Sequence, residues 1–203
     1  MIGIVDYGLG NVRAFENIYR RLGVPAEAVR TSEQLAQADR LILPGVGAFD
    51  WAMARLTDSD MIGTLNSRVL EDSIPVLGVC VGMQMMADSS DEGKAAGLGW
   101  IPGRVERFRS DLFSTHTHLP HMGWNNIEVV DTPALFGGLT APRFYFLHSY
   151  FYRPVDEKHV ISRTHYGQVF ASAIRRDNIW ATQFHPEKSH DWGVALLRNF
   201  AEV

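Results

Sequence analysis

The spacing of apolar and polar residues divides the chain into two textures. In the first half, short aliphatic runs alternate with helical patterns. "IGIVDY" (residues 2–7) is a β-branched run that reads as a buried strand. Val12, Phe15, Ile18, Tyr19 and Leu22 then recur at helical spacing, with Asn11 placed to cap that helix and Gly23 to stop it. "RLILPG", Arg40 to Gly45, reads as a second strand closed by Pro-Gly, followed by a helix around Phe49 to Leu56. Another helix is expected over Asp60 to Leu70, leading into the strand "PVLGVC" and out of it into a helix over "GMQMMADS". Such alternation predicts parallel strands joined by crossover helices.

From Gly103 onward the pattern changes to short β-type runs: "RVERF", "WNNIEVV", "RFYFLHSYF", "HVISRTH", "VFASAIR" and "IWATQF". These predict hairpins and a mixed sheet, closed by an amphipathic helix over Asp191 to Ala201. The fold class expected is α/β with a central mixed, largely parallel sheet.

Composition narrows the picture modestly. A chain of 203 residues suits one well-buried domain, and the reading is a single domain over 1–203. A formal charge of −4 gives no electrostatic reason to expect nucleic acid or an anionic membrane as partner. The chain has 1 cysteine, so no intramolecular disulfide can form, which fits a reducing compartment. The N-terminal "MIGIVDYGLG" lacks a basic segment followed by a long apolar one, and no apolar run is long enough to span a bilayer. A cytoplasmic protein is expected. No repeat, low-complexity tract or linker stands out.

The lone cysteine carries the chemistry. Cys80 stands in Gly78-Val79-Cys80-Val81-Gly82, where a strand is expected to turn into a helix. That is the form of a nucleophile elbow with Cys in place of Ser. A sharp turn forces unusual torsions at the nucleophile, and small neighbours let strand and helix approach. The thiol would sit at a helix N-terminus, and the Val81 N–H would face an oxyanion. The plain alternative is a buried cysteine at a strand end. Gly-x-Ser is absent throughout, which excludes a serine elbow.

A base is offered far downstream in "ATQFHPEKS". His185 ends an apolar run and Glu187 follows two positions later. A thiol needs an imidazole to take its proton, and the imidazole needs a carboxylate to fix its tautomer. A lone His-Pro-Glu would read as a surface turn; with the cysteine elbow the catalytic reading is favoured.

Together these segments are specific. "LGVCVGMQ" with "QFHPEKS" resembles the class I (triad) glutamine amidotransferases. "DYGLGNV", "LILPGVGAF", "GLGWIPGRV", "LPHMGWN", "FYFLHSY" and "LLRNF", in order along the chain, are similar to one subgroup of that family. Its members hand ammonia through a tunnel to a cyclase (HisF-like) (β/α)8-barrel subunit in histidine biosynthesis. The resemblance implies a flavodoxin-like or Rossmann-like amidotransferase domain, L-glutamine as substrate, a heterodimer, and no cofactor or metal. It implies Cys80 as nucleophile, His185 as general base and acid, and Glu187 as the group that orients the histidine. It assigns Val46, Gly47 and Val81 to the oxyanion hole, within "PGVG" (Pro44 to Gly47) and after the nucleophile. Gly45, Gln84, Ser149 and Tyr150 would hold glutamine. Asn11, Met122, Trp124, Asn125 and Lys188 would face the partner.

Some alternatives stay open. "GLGNV" after a strand hints at a dinucleotide loop, but Arg13 stands where a third glycine should be. "THTHLPH" offers His116, His118 and His121 to a zinc ion, against a reading as solvent-facing histidines. Val81 replaces the more usual Leu, and "MQMMADSSDEG" departs from the subgroup pattern. Those departures leave room for a paralogous branch that supplies ammonia for sugar amidination in surface-polysaccharide (lipopolysaccharide O-antigen) synthesis. A non-channelling cysteine hydrolase or peptidase could use the same three groups, and a non-catalytic homologue would lack one of them.

Overall fold

The aliphatic runs become strands because each is buried on both faces, as parallel strands covered by helices must be. The computed structural model describes residues 1–113, 115, 117–130 and 134–203. The first half of the chain runs β1 (Ile2–Val5), α1 (Val12–Leu22), β2 (Ala26–Val29), α2 (Ser32–Ala36), β3 (Arg40–Gly45) and α3 (Phe49–Asp58). It continues with α4 (Ile62–Asn66), β4 (Val76–Cys80), α5 (Val81–Gln84) and the short β5 (Ser89–Ser90). The second half holds β6 (Gly103–Arg107), β7 (His121–Asn126), β8 (Glu128–Val129), β9 (Arg143–His148) and β10 (Tyr150–Pro154). It ends with β11 (Val160–Tyr166), β12 (Gln168–Arg176), β13 (Ile179–Thr182) and α6 (His190–Glu202).

An 8-stranded sheet in the order β2-β1-β3-β4-β13-β12-β11-β8 organises the fold. Pairing is parallel from β2 through β13 and antiparallel from there to β8. The mixed, largely parallel sheet of an α/β fold is therefore present. Two smaller sheets stand beside it, β10-β6-β5 and β7-β9. β3 and β4 lie side by side with Gly45 opposite Cys80, so two glycine-rich segments leave the sheet together at its carboxyl end. Ligands of open α/β sheets bind at such carboxyl ends.

Several local expectations need correction. Asn11 occupies the N-cap position of α1, but its side chain makes no capping bond; Gly23 does close the helix, at φ 69°. The helix expected over Asp60 to Leu70 is α4 followed by a π-helical turn, Ser67–Glu71. The helix after Cys80 spans only 4 residues before the chain turns toward β5. β2 and α2 were not expected; the α2 cap is Thr31, whose side chain accepts from the Gln34 N–H. "RFYFLHSYF" is two strands, β9 paired with β7 and β10 paired with β6, rather than one element.

Candidate active site

Cys80 ends β4, a strand buried along its whole length, and has φ 57° and ψ −112°. A non-glycine residue there is strained, typically by about 1–3 kcal/mol, and such strain clusters at functional sites. The neighbouring glycines show why the chain tolerates nothing larger. A Cβ on Gly82 would stand 1.9 Å from the Leu43 carbonyl oxygen, and one on Gly45 2.4 Å from the Gly82 nitrogen. A Cβ on Gly78 would meet Met86 Cε at 2.6 Å. The single turn of α5 is thus pressed onto the end of β3. Its electrostatic pull is that of one turn, not of the longer helix the sequence suggested.

Opposite the elbow, the chain leaves β13 through Gln183 and Phe184 to His185, all three buried. Phe184 stacks on Phe144 with centroids 3.9 Å apart. The His185 N–H donates to the Tyr145 carbonyl at 2.9 Å. The Ser189 hydroxyl donates to the His185 carbonyl at 2.6 Å and accepts from the Tyr145 N–H at 2.9 Å. A 3-10 turn, Pro186–Lys188, then returns Glu187 to the ring. Glu187 Oε1 lies 2.9 Å from His185 Nδ1, and both side chains are buried. Occupying Nδ1 leaves Nε2 available to the thiol. Burial by itself would lower the imidazole pKa. Cys80 and then Glu187 outweigh it, and the value is pushed up to about 10.

Cys80 and His185 open on a cavity of about 270 Å³. Val46, Gly47, Val81, Gln84, Ser149 and Tyr150, the residues assigned to the oxyanion hole and to glutamine by the resemblance, line it. Lys188, expected at the partner face, lines it too. Gly45 does not; it is buried behind Cys80, where its role is to admit the Gly82 peptide. Gly47 has φ 89° with open space around its Cβ direction, so backbone conformation rather than crowding requires glycine there. The "DYGLGNV" stretch supports this loop. Tyr7 donates its hydroxyl to the Pro44 carbonyl at 2.7 Å, and a Cβ on Gly10 would come within 2.6 Å of Pro44.

The cavity also exposes residues that the sequence did not single out: Glu92, Pro120, Leu147 and His148. Gln183, fully buried and off the cavity wall, is another residue the sequence did not single out. Its Nε2 donates to Cys80 Sγ at 3.8 Å, and its Oε1 accepts from Gln84 Nε2 at 3.1 Å. Gln84 Nε2 also donates to the Tyr150 carbonyl at 3.1 Å. The position of Gln183 two residues before His185 was the available signal.

The residues expected at the partner face spread over the surface. Asn11, Met122 and Trp124 are exposed, and the Trp124 ring stacks on His190 at 5.2 Å. Asn125 is half-buried and donates to the His165 carbonyl and toward His121. The histidine stretch departs from its expectation. His118 is exposed, His116 lies outside the described residues, and His121 is buried against His148 instead of facing solvent. Among the described residues no group of His, Cys, Asp and Glu is arranged to hold a metal ion. No helix among them is long and apolar enough to cross a membrane.

A cysteine on a strained elbow thus shares a small cavity with a buried His–Glu pair. The family model for glutamine amidotransferase class-I matches residues 3–203, and the chain belongs to this family. Within it, the chain is 53% identical to imidazole glycerol phosphate synthase subunit HisH of Bdellovibrio bacteriovorus, over 100% of both chains. It is 47% identical to the HisH subunit of Leptospira borgpetersenii and 43% identical to HisH 2 of Pseudomonas aeruginosa, again over 100% of both. Among solved structures, the fold is shared with a glutamine amidotransferase at TM-score 0.76 and 23% identity, covering 100% of this chain and 99% of the other. It is shared also with PurLQS from Thermotoga maritima at TM-score 0.74 and 16% identity, covering 99% and 97%.

Proposed function

We propose that this chain is the glutaminase subunit of imidazole glycerol phosphate synthase, acting as one domain over 1–203. It hydrolyses L-glutamine to glutamate and ammonia and passes the ammonia to a cyclase (HisF-like) (β/α)8-barrel subunit in histidine biosynthesis. Full-length identity to several HisH subunits supports the pathway. The observation that carries the chemistry is the buried His185–Glu187 pair sharing one cavity with Cys80, which stands at positive φ.

In this reading the Cys80 thiolate attacks the side-chain amide carbon of glutamine, with the amino-acid end held by Gln84 and the Ser149–Tyr150 segment. Charge develops on the amide oxygen, which faces the Val81 N–H and a peptide N–H of the Val46–Gly47 loop. His185, carrying the thiol proton, gives it to the leaving ammonia. The same imidazole then takes a proton from the water that cleaves the γ-glutamyl thioester, releasing glutamate and Cys80. Glu187 keeps the ring in one tautomer and balances its charge. Met122 and Trp124 supply apolar surface to the barrel, with Asn11, Asn125 and Lys188 around them.

The Val46–Gly47 peptide also suits control by the partner. If it rests with a carbonyl toward the oxyanion, one donor is missing, a loss of roughly 100- to 1,000-fold in rate. A partner that binds the flipped state more tightly restores it. The test is steady-state glutamine hydrolysis by the lone chain, by its complex with the barrel subunit, and by that complex with the cyclase ligand. A weak lone enzyme rising by two to three orders of magnitude (~100- to 1,000-fold) is expected. Equal kcat in all three ends the control model, and no glutamine hydrolysis in any ends the proposal.

A further inference from the structure

The imidazoles of His121 and His148 lie inside the protein, in contact with each other, and the triad uses neither. His121 Nδ1 stands 3.0 Å from His148 Nε2. The rings that pack on them are aromatic, and such contacts do not by themselves require an imidazole. His121 is sandwiched between Phe146 and Tyr166, at centroid distances of 4.6 and 3.9 Å. Phe108 and Phe170 pack on His148 at 5.3 and 5.2 Å. Packing therefore does not account for imidazole at either position. Their hydrogen bonds do.

Each bond in the chain fixes the next. Asn125 Oδ1 accepts the Asn126 N–H at 2.8 Å, so its amide orientation is set. Nδ2 donates to the His165 carbonyl and lies 3.2 Å from His121 Nε2, which must accept. A neutral imidazole accepting at Nε2 carries its proton on Nδ1. That proton points at His148 Nε2, which must accept in turn. The His148 proton is then on Nδ1, 2.7 Å from the Tyr150 carbonyl, a group that can only accept. The same carbonyl takes the bond from Gln84 Nε2, so both of its lone pairs are used. A proton added to either ring would set donor against donor. Burial favours the neutral forms as well, and lowers the two pKa values to about 4 for His121 and about 3 for His148.

We propose that the His121–His148 pair is a positioning device for glutamine binding: a one-directional hydrogen-bond chain from Asn125 to the Tyr150 carbonyl that holds the Leu147–Tyr150 segment in register with Gln84. Through Gln84 and Gln183 that register extends to Cys80 Sγ. The chain begins on β7, the strand that also exposes Met122 and Trp124. Breaking it misplaces a wall of the cavity but leaves the His185–Glu187 pair intact, so binding of glutamine suffers more than the chemical step. The inference rests on the glutaminase reading above.

Two substitutions at His121 isolate the bonds from the packing. His121→Phe keeps a ring between Phe146 and Tyr166 and removes both links. His121→Asn gives up the ring but places an amide N–H where Nδ1 stood, which restores the link to His148. With the full chain in complex with its barrel subunit, His121→Phe is expected to raise KM for glutamine roughly tenfold while kcat changes less than about threefold. His121→Asn should recover most of that KM. An unchanged KM in His121→Phe, or an equal rise in both variants at equal folded fraction by thermal melting, overturns the inference. Should His121→Phe fail to fold, imidazole ¹⁵N shifts of the wild type decide. Both rings as Nδ1–H tautomers at pH 7 support the chain, and an Nε2–H tautomer or an imidazolium at either ring overturns it. A wild type without glutaminase activity removes both readings together. An active wild type with an unaffected His121→Phe removes only this one.

Discussion

The two walls of the cavity are built in different ways. On the side of β3 and β4, shape comes from the backbone: Cys80 at positive φ, and Gly45 and Gly82 so close that an added methyl would enter a neighbouring peptide. On the side of β9, β10 and the turn after β13, shape comes from two sets of buried polar side chains, each held by hydrogen bonds to a defined partner. The first wall should therefore be intolerant of added volume. The second should be intolerant of lost polar atoms, because a buried group left without its partner costs its full desolvation. Placing a nucleophile demands a rigid turn, whereas moving a proton demands oriented donors and acceptors, so each wall suits the task proposed for it.

The largest expected effects test whether the walls work as one triad. Cys80→Ala should reduce glutamine turnover by about 10⁴-fold or more, with folding and partner binding retained. Wild-type kcat in that variant would remove the covalent route. His185→Ala should cost at least as much as Glu187→Ala, since the imidazole moves the proton and the carboxylate only supports it. A silent Glu187→Ala would show that the 2.9 Å contact is structural.

Next in size is a volume test of the backbone wall. Gly82→Ala sets its Cβ 1.9 Å from the Leu43 oxygen and should destabilise the protein by about 2–4 kcal/mol in denaturant titration. Gly47→Ala, at φ 89° but with open space around it, should cost only about 1–2 kcal/mol. Similar losses at both positions would mean that crowding does not distinguish them.

The smallest effect separates two kinds of histidine by pH. His121 and His148 have folded pKa values near about 4 and about 3, below the ordinary 6.5. Between those values and 6.5 the unfolded chain binds more protons, so their stabilisation is present above pH 6.5 and is lost as pH falls through the window. His185 has the opposite sign. Its pKa is raised to about 10, so its contribution is present below 6.5 and is lost as pH rises toward that value. Thermal midpoints from pH 4 to 10 should therefore show His121→Phe flattening the acid slope and leaving the alkaline one. If His121→Phe changes the alkaline slope instead, the two sets are coupled more tightly than their separation into two clusters allows.

Much of the backbone wall is legible along the chain. Glycine spacing around Cys80, a fully apolar run before it, and "PGVG" after a second such run are local features, and local sterics give them one meaning. The proximity of His185 and Glu187 was also legible, because two residues of separation are enough for a turn to join them. Tertiary structure decided the rest. "AEAV" becomes β2 because β1 offers it a parallel ladder, not because its own pattern demands a strand. β9 and β10 part company at Ser149 because β7 and β6 claim them separately. His121 read as a loop histidine until Phe146, Tyr166 and His148 closed around it from segments 25 to 45 residues away. Gln183 likewise gains its meaning from Cys80 and Gln84, about a hundred residues earlier. A glycine's role follows from its missing Cβ and its own torsions, which travel with the sequence; a buried donor's role depends on which acceptor it meets, and only the folded chain brings the two together.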